Sequence, residues 1–132
     1  MKLRKPIVIV MVALAAMFVA GKVLPLALEA AYPRMRASTK AFDLGNVADG
    51  AYEGKAFLLP VSVRVRATVS GSRIVSADIL KHFNGQGKPA EAIVARVIEA
   101  QSLGVDTVSG ATHSSLTILT AIENALTKGT KR

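Results

Sequence analysis

The stretch VSVRVRATVSGSRIVSADIL, residues 61–80, sets the fold. From Val61 to Val69 apolar and polar residues alternate without interruption. Successive side chains of a strand point to opposite faces, so this period of two puts Val61, Val63, Val65, Ala67 and Val69 on a core face. Arg64 and Arg66 fall on the other, solvated face. Ser70-Gly71-Ser72 supplies a hairpin turn. The return strand is expected from Ile74 to Leu80, with Val75, Ala77 and Ile79 on one side. Upstream, Asp49-Gly50 marks a turn. Tyr52, Gly54, Ala56 and Leu58 then alternate with Glu53, Lys55 and Phe57 until Pro60 ends the run. Three such runs predict an antiparallel meander.

Beyond Leu80 the period changes. Asn84-Gly85-Gln86-Gly87-Lys88-Pro89 is expected to be a loop, with Pro89 placed to open a helix. Ile93, Val94, Val97, Ile98 and Gln101 follow at helical spacing, and Ser102-Leu103-Gly104 stops that helix. Val105 to Val108 is long enough for one edge strand at most. Leu116, Leu119, Ile122 and Leu126 mark a second helix that ends near Lys128-Gly129. The order β-β-β-α-loop-α describes an α+β domain: a small antiparallel sheet with two packed helices. At about 80 residues, such a domain has a marginal core.

The N-terminus belongs to a different class. Lys2, Arg4 and Lys5 precede an apolar run that starts at Ile7, is interrupted by Lys22 and resumes to Leu28. Two readings compete, a cleaved secretory signal and a retained membrane anchor. Residues 7–24 make a helix of roughly 27 Å at 1.5 Å per residue, and extension to Leu28 reaches the ~30 Å of a bilayer core. The small-x-small candidates for cleavage are weak: Ala13-Leu14-Ala15 comes too early, and Val19-Ala20-Gly21 is a poor match. The anchor is therefore favoured. In either case the basic end stays in the cytoplasm and the rest crosses. Residues 29–47, with Pro33, Arg34, Arg36 and Lys40, are expected to be a polar stalk. The chain then divides into an anchor or signal at 1–28, a stalk at 29–47 and a domain at 48–129.

Composition excludes several functions. The net charge of +8 looks like a nucleic-acid signal until it is located. Residues 1–40 hold seven Lys/Arg against one Glu, while residues 41–132 hold ten Lys/Arg against eight Asp/Glu. The domain is nearly neutral and shows no basic face interleaved with aromatics, so no nucleic-acid partner is expected. Without cysteine there is no disulfide framework, iron–sulfur cluster or thiolate zinc site. Two histidines, His82 and His113, are too few for a His-rich metal site, and no metal is expected.

One loop remains to be explained. In VDTVSGATHSS, residues 105–115, five of the nine residues from Thr107 to Ser115 carry a hydroxyl. The plain reading is a capped helix start, with Ser114 or Ser115 as the cap. The sharper reading is an anion site. A helix N-terminus offers unpaired N–H groups and a positive dipole end, Gly110 permits close backbone approach, and Ser109, Ser114 and Ser115 can add donors. The loop is neither a P-loop nor a nucleophile elbow, and no base stands beside a serine.

The heptapeptide Asp106-x-x-Ser109-Gly110-Ala111-Thr112 resembles the flavinylation motif of the FMN-binding domain family, which includes the C and G subunits of sodium-pumping NADH:quinone reductases and Rnf-type complexes. Asp49-Gly50-x-Tyr52-x-Gly54, the hairpin over 61–80, Glu99-Ala100-Gln101-Ser102 and Ser114-Ser115 extend the resemblance over roughly residues 48–128. It implies an α+β domain carrying FMN through a phosphoester bond to Thr112, installed from FAD by a separate flavin transferase that uses a divalent metal. Ser109, Gly110, Ala111, Ser114 and Ser115 would then surround the cofactor. Asp106 is either an Asx-turn residue or part of what the transferase recognises. Tyr52 either stacks on the flavin or packs in the strand, and His113 either touches the cofactor or is a surface histidine. With few aromatics in the domain, a partly exposed flavin ring is expected.

The function expected from the resemblance is an extracytoplasmic, single-pass electron-transfer protein of the cytoplasmic membrane. It is a redox carrier or a subunit of an oxidoreductase complex more than a stand-alone enzyme, with no catalytic residue of its own. Its partners would be the transferase, membrane electron-transfer proteins or a quinone-linked complex, and lipid through the N-terminus. The alternatives are a flavin-free interaction or sensory module, and a small flavin reductase acting directly on a quinone or another acceptor.

Overall fold

The computed structural model describes residues 4–83 and 88–131, which form two compact units, the first ending at Ala31 and the second starting at Tyr32. The first unit is helix α1, Arg4–Glu29. Its 26 residues extend roughly 39 Å at 1.5 Å per residue, and none is buried, so it is long and apolar enough to cross a bilayer.

The second unit holds helix α2 (Tyr32–Ala41), strands β1 (Gly50–Leu58), β2 (Val61–Ser70) and β3 (Arg73–Phe83), and helices α3 (Ile93–Ala100) and α4 (Thr112–Thr127). The sheet is an antiparallel meander in the order β1-β2-β3. One face of β2 is buried as its alternation requires: Val61, Val63, Val65, Ala67 and Val69 all lie in the core. Helix α4 covers that face, burying Leu116, Ile118, Leu119, Ile122 and Leu126.

Two details of the sheet depart from a strict period of two. The β2–β3 register shifts between Arg64 and Val65 and again between Thr68 and Val69. Each shift leaves one extra residue on β3, first Leu80 and then Val75. A bulge reverses the facing of the residues beyond it. Ile74 therefore takes the core position expected for Val75, which is exposed, while Ala77 stays inside. At Gly54 the sheet and α4 approach each other closely. A Cβ there would lie 2.7 Å from the Ala125 Cα, and closer still to the Ala125 nitrogen and the Ala121 carbonyl oxygen.

The segment expected to be a stalk is structured. Tyr32, Met35 and Phe42 pack against the core, and Thr39 is buried with its hydroxyl bonded to the Met35 carbonyl at 3.0 Å. Ser38 donates to the Glu123 carboxylate on α4. Val47 bridges to Thr130, and the Ala48 N–H donates to the Gly129 carbonyl, so the segment before β1 is tied to the end of α4. The compact unit therefore begins about sixteen residues before position 48.

The expected loop over 84–89 falls partly on residues 84–87, which lie outside the described residues. Lys88–Ala92 is a short 3-10 turn that leads into α3, so Pro89 opens the approach to the helix and Ile93 its regular part. Gln101 ends α3 in the left-handed conformation, φ 50°. Its side-chain amide donates to the Ile74 carbonyl at 2.9 Å and accepts from the Ile74 N–H at 2.8 Å, joining α3 to β3. Residues 104–108 form no strand.

Candidate functional site at the start of helix α4

Helix α4 begins at Thr112, three residues earlier than a Ser114 cap would require. Its N-cap is Ala111, which has no side-chain acceptor, and among the described residues no side-chain cap bond forms at the helix start. The expected capping by Ser114 or Ser115 does not form, because both side chains turn into the core, 5% and 0% exposed. Ser115 instead accepts the Val108 N–H at 3.1 Å and so fixes the loop that precedes its own helix. The first-turn amides keep their donors, and the positive end of the helix dipole stays uncovered beside the Thr112 hydroxyl. Thr112 is half-buried, while Ser109 and Gly110 are exposed.

Gly110 has φ 77°, and a Cβ there would meet nothing within 4 Å. Glycine is needed here for its backbone conformation, and the space over the loop is open. Asp106 is also exposed. The Asx turn, one of its two readings, does not form, because the amide two residues on, that of Val108, is already taken by Ser115. Asp106 contributes its carbonyl instead, which accepts from Arg96 Nη1 at 3.0 Å. The same nitrogen reaches the Thr107 carbonyl at 3.2 Å. Arg96, on α3, thus holds two successive carbonyls of the loop and lines an open hollow of about 600 Å³ with Glu99, Gly104 and Asp106.

His113 has both ring nitrogens engaged. Nε2 lies 2.9 Å from the Leu58 carbonyl, which can only accept, so this nitrogen carries the hydrogen. In the neutral ring Nδ1 then accepts from the Tyr32 hydroxyl at 2.7 Å. The two rings meet edge to face, their centroids 5.8 Å apart. His113 thus ties the start of α4 to α2 and to the end of β1, a structural role for a residue that sequence left between cofactor contact and surface.

Tyr52 does not belong to this site. Its hydroxyl donates to the Ala48 carbonyl at 2.7 Å, and its ring packs against Gly129. Gly129 follows the far end of α4, roughly 25 Å from Thr112 at 1.5 Å per residue. The structure thus brings Thr112, Ala111, Gly110, Ser109 and Asp106 together on one loop, buries Ser114 and Ser115 beneath it, and leaves Tyr52 at the opposite end. Sequence reading passed over Arg96 and Tyr32. Arg96 lies among the polar positions of α3, and Tyr32 fell in the segment taken as a stalk.

An uncapped helix start, an open glycine and a half-buried threonine suit a phosphate monoanion. The family model for the FMN-binding domain matches residues 60–127, from the β1–β2 turn to the last residue of α4, and includes this whole loop. No curated protein matches the chain. The α+β meander agrees with the fold expected from the motif, and the match covers just over half of the chain. The chain belongs to the FMN-binding domain family, and its domain is that of a flavoprotein.

Proposed function

We propose that this protein is a membrane-anchored electron carrier whose FMN is joined through a phosphoester bond to the Thr112 hydroxyl. The observation that carries this reading is the start of α4: Thr112 is its first residue, and among the described residues no side-chain cap bond forms there. A phosphodiester retains one negative charge, which those amides and the helix dipole favour. Bound FMN supplies one- and two-electron redox chemistry. The protein's own residues supply placement. Arg96 and Ser115 hold the loop from below, Gly110 turns it, and His113 fixes the first turn of α4 against α2 and β1. Both ring nitrogens of the neighbouring His113 are engaged elsewhere, which agrees with a separate flavin transferase doing the bond-forming chemistry, and the exposed Asp106 carboxylate is available to that enzyme.

The basic residues before the apolar part of α1 argue for a cytoplasmic N-terminus and an extracytoplasmic domain. The chain has no cysteine, so a single Ser70→Cys substitution can be labelled cleanly with a membrane-impermeant maleimide in intact cells. Labelling is expected from outside.

The main test is co-expression with a flavin transferase. A fluorescent flavin band should survive denaturing electrophoresis, vanish in Thr112→Ala and persist in Thr112→Ser. A wild-type protein that stays colourless with a transferase of matching origin would refute the reading.

A further inference from the structure

The outer face of the sheet, the side away from α4, carries a patch that neither the fold nor the flavin site uses. In the strand register Phe57 and Phe83 flank Ser62 on one rung. Both rings stand in solvent, 68% and 57% exposed. They lie two strands apart, roughly 10 Å across the sheet. The next rung, about 7 Å along the strands, is Lys55, Arg64 and Lys81. All three are exposed, and none makes an ion pair among the described residues. Lys81 Nζ stands 5.9 Å from the centroid of the Phe83 ring. The rung after that is Glu53, Arg66 and Asp78, where Arg66 is already bonded to Glu53 at 2.6 Å.

The patch lies at the end of the sheet where the attachment loop sits. Phe57 is followed by Leu58, whose carbonyl accepts from His113, the neighbour of Thr112. We infer that this face docks an acidic redox protein: Phe57 and Phe83 form the apolar centre, and Lys55, Arg64 and Lys81 steer the approach. The inference rests on the carrier reading for its purpose, because a carrier needs a partner close to its flavin. Small apolar centres with charged rims suit short-lived encounters, and unpaired cations raise the on-rate of an acidic partner. The third rung favours a protein over an anionic bilayer. Glu53 and Asp78 sit one rung from the cations, where a uniformly negative surface would repel them, whereas a protein surface can match charges rung by rung.

The test uses the full-length chain in phosphatidylcholine nanodiscs, with flavodoxin as an acidic probe protein. Binding is measured first with the flavin-free Thr112→Ala chain, so that docking is read separately from flavin attachment. Reduction of the FMN-loaded wild type by reduced flavodoxin is then followed by stopped flow. Binding and rate should both be greatest at low salt, and Arg64→Glu/Lys81→Glu should lower each by about tenfold or more. Phe57→Ser/Phe83→Ser should speed dissociation with little change in the on-rate. Arg34→Glu/Arg36→Glu, on α2, should change neither.

A double charge reversal on the sheet that leaves flavodoxin binding within twofold of wild type overturns the proposal. So does a loss of binding that follows the α2 charges instead. If phosphatidylglycerol in the discs blocks flavodoxin and protects the β1 and β3 amides from exchange, the face docks on lipid and the proposal fails. A wild type that takes no flavin but binds flavodoxin through Arg64 and Lys81 sinks the carrier reading and leaves the docking face standing.

Discussion

Gly54 is where a single methyl group tests the packing of this domain. On β1 it faces α4, and a Cβ at that point would lie 2.7 Å from the Ala125 Cα. Ordinary carbon contacts are about 3.5–4.0 Å, so Gly54→Ala forces helix and strand apart by roughly 1 Å locally. The obstacle is helix backbone, so no change of rotamer relieves it. Overpacking of this kind costs about 1–3 kcal/mol, and the backbone obstacle argues for the upper end. Alanine recovers roughly 0.4–1 kcal/mol by restricting the unfolded chain, which leaves a net loss of about 2–2.5 kcal/mol.

For a domain of this size, that loss lowers the midpoint of thermal unfolding by about 8–20 °C at 4–8 °C per kcal/mol. Differential scanning calorimetry of the full-length chain in detergent would read it as a shift of the domain transition. Gly71→Ala is the control. Gly71 has φ 58°, and a Cβ there would meet nothing within 4 Å, so only the left-handed strain of about 1–2 kcal/mol applies. A Gly54→Ala midpoint no lower than that of Gly71→Ala would show that α4 can retreat freely, and the close approach would lose its energetic meaning.

Three further outcomes follow from the same contacts. Arg96→Gln removes the guanidinium that holds the Asp106 and Thr107 carbonyls, so covalent flavin loading should fall severalfold while the melting temperature moves little; Arg96→Lys should recover part of the loading. A chain that begins at residue 48 should melt well below one that begins at residue 32, because only the longer one keeps α2 and the Tyr32–His113 bond. Glu53 is held below the usual carboxylate range, mainly by its hydrogen bond from Arg66. A depressed folded-state pKa adds stability that is complete above the ordinary Glu value of about 4.3 and is lost as pH falls through the lower folded value. Acid titration at low salt should therefore show a slightly shallower decline for Glu53→Gln, and added salt should erase the difference, since the pair is exposed.

The core face of β2 was legible because apolar and polar residues alternate there without exception, and nothing in the structure interrupts that strand. The facing of β3 was not, because a bulge is a property of the pair of strands, and Ile74 and Val75 are equally apolar. Helix α2 left a signal that its composition concealed. Tyr32, Met35, Thr39 and Phe42 recur at spacings of three, four and three, the inward stripe of a helix, but Pro33 and three cations occupy the rest. Proline at the second helical position is no obstacle, since the first turn has no N–H bond to lose. At the candidate site the motif marked the loop, but not the residue at which the helix starts. Capping rules favour serine over alanine, and they gave the wrong start because Ser115 serves a tertiary bond to Val108 that no local rule contains.

That difference bears on how a short motif can work. The residues that place Thr112 are not in the heptapeptide: Arg96 comes from α3, Ser115 from inside α4, and Tyr32 and Leu58 act through His113. Four segments spread over more than eighty residues meet around one loop, so the geometry of the Thr112 hydroxyl is a property of the folded domain. A peptide with the same seven residues has the same hydroxyl, but neither the uncapped helix start nor the fixed carbonyls. A transferase that reads the loop in this arrangement would modify folded domains and pass over unfolded ones. Attachment would then come after folding, and destabilising the domain at Gly54, far from Thr112, would lower flavin loading in proportion to the unfolded fraction and no further.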